Sequence, residues 1–161
     1  MRFCFLTVIL TVFSSQIFAQ KKPGTDLWSG SYAVYPSNEA LAADTLVIRK
    51  TEDLTADKVT SRYAADLERW SLTSTRDSKK ESLSVRRFLF NDDDNEYKEF
   101  GWTDLHQSGK MNCIDGGHFF ICKTDPNTTV EVKGEKPFKT DTGIFGIWLH
   151  FGLVTLKKIN E

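Results

Sequence analysis

The chain is cut into short runs whose apolar residues recur at every second position, and this period constrains the fold more than any other feature. Residues 82–90, SLSVRRFLF, place Leu83, Val85 and Leu89 on one parity and Phe88 and Phe90 on the other. Residues 27–35, 44–50 and 128–133 alternate in the same way, and polar or turn-forming stretches separate the runs. Alternation of this kind marks half-buried strands. Residues 144–159 form one long strand or a last hairpin, with Phe145, Ile147, Leu149, Phe151 and Leu153 on one side. One stretch resists the pattern. Val59, Tyr63, Leu67 and Trp70 follow helical spacing, so a helix is expected over 58–70, although the same residues also fit period two. Short strands, polar turns and at most one amphipathic helix predict a mainly β domain. Its form would be a small antiparallel barrel or a sandwich. An open sheet carrying the 58–70 helix is the remaining arrangement.

The amino terminus, MRFCFLTVILTVFSSQIFAQ, has a basic Arg2, an apolar stretch and a small residue at Ala19. It reads as a secretory signal peptide, residues 1–19, cleaved to leave a single β-rich domain at 20–161. The apolar stretch is short for a membrane span, and no transmembrane segment is expected after cleavage. Cleavage removes one basic residue from 21 Lys and Arg, against 22 Asp and Glu, leaving a net charge of −2. Scattered basic residues at that charge speak against a nucleic-acid partner. The expected location is outside the cytoplasm, the bacterial periplasm before the cell exterior.

Cleavage also removes Cys4, leaving Cys113 and Cys122. They bracket CIDGGHFFIC, two strand-like runs joined through Asp115-Gly116-Gly117. In an oxidising compartment an even pair reads as one disulfide, here stapling a hairpin with Cα atoms about 4.4–6.8 Å apart. A thiol nucleophile acting with His118, or a metal site of Cys113, His118 and Cys122, are the alternatives; the spacing matches no strong zinc signature.

The opening GTDLWSGSY (24–32) and the closing GLVTLKKI (152–159) resemble the ends of calycin, or lipocalin-like, barrels. Those begin with a glycine and a tryptophan, and close with a basic side chain over that tryptophan. The glycine order differs here, since Gly30 follows Trp28 and Gly24 stands four residues before it. The resemblance implies an up-and-down barrel with a ligand cavity, and Lys157 or Lys158 packed on Trp28.

For function, catalytic motifs are lacking, no cofactor or metal is expected, and the chain is read as a non-enzyme. The leading expectation is an exported binding protein, an inhibitor or immunity-type protein that engages a protein partner through loop tips. The candidate contacts are Asp115 and His118 on the stapled hairpin, then Asp92, Asp93, Asp94 and Glu96 in the acidic run. That run carries the right ligand atoms for calcium but lacks the glycine and distal glutamate of a dedicated loop. The second expectation is small hydrophobic-ligand binding in a barrel cavity lined by Trp28, Trp102 and Trp148. A hydrolase using His118 or His150 with a nearby carboxylate is the third. Partner identity and oligomeric state are not encoded in any motif.

Overall fold

In the computed structural model, which describes residues 26–37, 40–64, 66–76, 82–132, 136–148 and 152–159, eight strands close into an antiparallel barrel. The signal-peptide segment lies outside the described residues. The barrel is built from β1 (Gly30–Pro36), β2 (Asp44–Lys50), β3 (Arg69–Ser74), β4 (Ser82–Arg87), β5 (Met111–Asp115), β6 (Phe119–Thr124), β9 (Ile144–Trp148) and β10 (Gly152–Ile159). Around the barrel they run β1-β10-β9-β6-β5-β4-β3-β2, so the first and last strands are neighbours. A two-stranded ribbon of β7 (Thr129–Val130) and β8 (Phe138–Lys139) stands outside. This is the architecture of the lipocalin-like small barrels. The 144–159 run resolves into a hairpin, with Gly152 opposite Trp148.

Alternation sorts the side chains into two cores. Inward-facing Tyr32, Val34, Leu46, Ile48, Trp70, Leu72, Val85, Ile114, Ile121, Val154 and Leu156 pack with Trp28 and Phe119 inside the barrel. The outer face of β5, β6 and β9 is apolar as well. Met111, Cys113, Cys122 and Phe145 form a second core there with Phe88, Tyr97, Trp102 and Val130. Helices α1 (Glu96–Glu99) and α2 (Thr103–Gln107) contribute to its cover, with Asn95 capping the first through a hydrogen bond from Lys98 N. Trp102 Nε1 donates to the Glu131 carbonyl at 2.6 Å and ties the helical segment to the ribbon. The outer core explains why 96–107 alternates with neither period: it folds as two short helices over a sheet face.

The helix expected over 58–70 does not form. Two 3₁₀ turns, Ala56–Lys58 and Ser61–Tyr63, leave no buried residue, and Arg69 already begins β3. Trp70 is drawn into the ladder instead, opposite Lys50 on β2 and Val85 on β4. Pairing on both edges of β3 outweighs a weak helical spacing in which Asp66, Glu68 and Arg69 interrupt the apolar face.

The cysteines stand directly opposite each other, Cys113 on β5 and Cys122 on β6, and are bonded with Cα atoms 4.1 Å apart. The separation falls short of the expected range, because the two form a pair without mutual backbone hydrogen bonds, where strands approach to about 4.5 Å. Accordingly Cys113 N donates to Tyr97 Oη, and Phe88 N donates to the Cys113 carbonyl. At the turn between them Gly117 takes φ +87°, a region open to glycine at little cost.

Candidate functional site

The strand directions define two ends. Asp26, Trp28, Lys50 and Arg69 lie toward one, and Pro36, Asp44, Ser74, Trp148 and Gly152 toward the other. The first end is sealed. The Asp26 carboxylate accepts hydrogen bonds from Trp28 N, Ser29 N, Ser29 Oγ and Trp70 Nε1. Burial works to raise its pKa, but the donors, led by Ser29 Oγ, outweigh it and hold the carboxyl below the usual aspartate value. Tyr32 Oη donates to the Trp28 carbonyl at 2.7 Å, and burial first, with the Asp26 charge, pushes that phenol up to about 12. Lys158 returns to this segment, but neither it nor Lys157 lies over the Trp28 ring as the calycin resemblance implies. Lys158 donates to the Ser29 carbonyl at 3.0 Å and lies 5.9 Å from the Tyr32 ring, while Lys157 lies over Tyr35.

At the other end the barrel interior opens. Val34, Leu46 and Val154 wall a pocket of about 120 Å³ beside Trp148, with Pro36, Ala43, Asp44 and Arg76 at its rim. Trp148 stacks on Phe119 with centroids 5.2 Å apart. Gly146 makes this possible, because a Cβ there would lie 2.2 Å from Trp148 Cζ3. The Asp44 carboxylate is engaged by Thr45 N, Ser74 Oγ, Thr75 Oγ1 and Arg76 N. The exposed Arg76 guanidinium makes no ion pair with a described residue.

The three tryptophans expected around one cavity are divided. Trp28 belongs to the sealed end of the inner core, Trp102 to the outer core, and Trp148 alone reaches the open pocket. The two candidate contact tips meet at Arg86. Its guanidinium binds Glu96 through both oxygens at 2.8 and 2.7 Å and Asp115 at 2.7 Å. Asp115 also accepts from Gly117 N, and Asp94 pairs with Arg62 at 2.8 Å. Asp92, Asp93 and His118 are exposed. His118 hydrogen-bonds no described residue, and His150 lies outside the described residues. No group of three or more His, Cys, Asp or Glu side chains that could hold a metal occurs among the described residues. No helix among them is long and apolar enough to cross a membrane.

Sequence reasoning missed Arg76 and the inward triad Val34, Leu46 and Val154. The parity of Val34 and Val154 was readable, but which strand ends share a rim depends on the β1–β10 and β9–β10 registers. The chain matches no family model, no curated protein and no solved structure.

Proposed function

We propose that this protein is a non-enzymatic binder of a small hydrophobic ligand, which it takes at the open end of the barrel. The observation that carries the reading is the contrast between the two ends: one is closed by a hydrogen-bonded knot, while the other leaves an apolar pocket between Val34, Leu46, Val154 and Trp148. A pocket of about 120 Å³ holds roughly four water volumes, so it suits a short alkyl or aryl end and not a whole lipid. With Asp44 saturated by donors, the charge left for a ligand head at the rim is the Arg76 cation, which favours a carboxylate.

Titration of the mature chain with straight-chain carboxylates from butanoate to decanoate, followed by tryptophan emission and amide shifts, tests the reading. Saturable changes at Trp148 and Val154 are expected. They should be lost in Val154→Phe, which fills the pocket, and weakened in Arg76→Gln. A series that never perturbs these residues would sink the proposal.

A protein partner engaged through the loop tips finds less support. Asp115, Glu96 and Asp94 already serve ion pairs within the chain, and among the charged tip candidates only Asp92 and Asp93 are fully exposed.

A further inference from the structure

Outside the barrel, below its sealed end, a cleft of about 560 Å³ lies between the 53–68 segment and the outer core. Its size is that of a ligand pocket. We propose that this cleft is a second binding site, for a small organic ammonium carrying an apolar body.

The argument begins with which polar groups remain unpartnered. Of the three carboxylates lining the cleft, Asp53 pairs with Lys50 at 2.7 Å, and Glu68 pairs with Lys50 and Arg87. Asp66 has no cation among the described residues. Its oxygens accept only from Glu68 N at 3.2 Å and Arg87 N at 3.0 Å, which leaves lone pairs for further donors. His106 also lines the cleft. Its Nδ1 faces the Met111 carbonyl at 2.9 Å, so Nδ1 carries a proton, and in the neutral ring Nε2 is an acceptor. Asn112, one residue on, also lines the cleft, but its parity is that of inward-facing Ile114, opposite to Met111 and Cys113.

The chain brings the backbones around these groups together. Asp66 binds the backbone of Arg87, and Phe88 next to it binds Cys113, which follows Asn112. Tyr97, stacked on His106 at 3.8 Å, has its hydroxyl raised to about 12 by burial above all, with lesser pushes from the Glu96 and Asp66 charges. A carboxylate and an imidazole nitrogen are both acceptors for the N–H donors of a primary ammonium. An anion would meet the uncompensated Asp66. About half of the lining is apolar, from Trp28, Leu67, Phe88, Leu89 and Tyr97, and Phe90 and Leu27 in it are 43% and 41% exposed. An aromatic ring beside an acceptor set also favours a cation.

The test uses the mature chain and three probes of similar shape: 2-phenylethylamine, 2-phenylethanol and 3-phenylpropanoate. Saturable shifts of the Arg87, Asn112 and Cys113 amides are expected with the amine, weaker ones with the alcohol and none with the acid. Asp66→Asn should weaken the amine by about fivefold, the worth of one partly exposed ion pair, and leave the alcohol unchanged. Phe90→Ser, which removes a half-exposed ring packed edge-on against His106 and Tyr97, should weaken amine and alcohol alike and keeps the test decisive if Asp66→Asn misfolds. Arg76→Gln, at the other end of the barrel, should change nothing here. Equal binding of the three probes, no saturation with the amine, or indifference to both cleft variants would overturn the proposal. Tighter binding of Nα-acetyl-lysine methylamide than of the amine would overturn it too, in favour of a lysine side chain from a partner protein.

Discussion

Replacing Arg86 by methionine should be among the most destabilising single changes at the protein surface. The guanidinium joins β4, β5 and α1 through Asp115 and Glu96, whose side chains are only 22% and 14% exposed. Burial alone would favour a neutral Arg86, but Glu96 and Asp115 more than offset it and hold its pKa above the usual arginine value. With a raised pKa, the stabilisation is fully present below the unfolded value and is lost only as pH rises through the folded one, beyond any working pH. Methionine keeps the stem and removes the charge, leaving two carboxylates facing one another. Breaking a fully buried pair in this way costs about 3–5 kcal/mol, and an exposed pair contributes about 0.2–1. The two-oxygen contact with Glu96 and the low exposure place Arg86→Met near the upper case, at about 2–3 kcal/mol. Urea unfolding of the mature chain at neutral pH measures it. If the uncompensated carboxylates are the cause, adding Glu96→Gln should recover about 1 kcal/mol, since the amide oxygen still accepts from Leu89 N. A loss below about 0.5 kcal/mol, the range of an ordinary surface change, would refute the reasoning, as would a double variant no better than the single.

Intact mass should show Cys113 and Cys122 inaccessible to alkylation until the protein is reduced, and reduction should lower stability by roughly 2–3 kcal/mol on the loop-closure model. Tyr32 and Tyr97 are raised to about 12 from 10.0, so their stabilisation is full below pH 10 and is lost as pH rises toward 12; Tyr32→Phe and Tyr97→Phe should each flatten that alkaline loss in a pH series of urea unfolding. The lowered Asp26 acts in the opposite direction: its stabilisation is present above 3.8 and lost as pH falls through the folded value, so Asp26→Asn should remove part of the acid sensitivity seen by circular dichroism. Gly146→Ala drives a methyl into Trp148 and should cost about 1–3 kcal/mol with a change in tryptophan emission.

Most barrel strands were legible because they alternate and are bounded by turn residues, whereas β8, in a polar stretch, carries no such pattern. The staple was legible because its cysteines flank a glycine-containing turn, although the register is centred between Gly117 and His118, beyond the Asp115-Gly116-Gly117 reversal expected. The 58–70 segment misled because a strand paired on both sides needs no strong pattern of its own. Arg86 was readable as a cation near the acidic run. Its bond to Asp115, 29 residues away, follows from Arg86 standing opposite Asp115 in the β4–β5 register, a long-range fact no local pattern encodes. The open pocket was hidden for a related reason: its walls come from β1, β2, β9 and β10, opposite ends of the chain brought together only by closure.

The β4–β5 register contains two pairs, Arg86 with Asp115 and Arg87 with Ile114, whereas β1 and β10 share six. Residues 88–110 intervene between β4 and β5, so this contact must wait for a long loop to close. Strands β1 to β4 form a local meander, and β5 joins β6 through a tight turn. Each is local in sequence, whereas the seam between them joins residues about 30 apart. Interactions made after the transition state set the unfolding rate and leave the folding rate almost untouched. If the Arg86 contacts form after it, weakening them should shorten the lifetime of the closed barrel without slowing the chain's first approach to its fold.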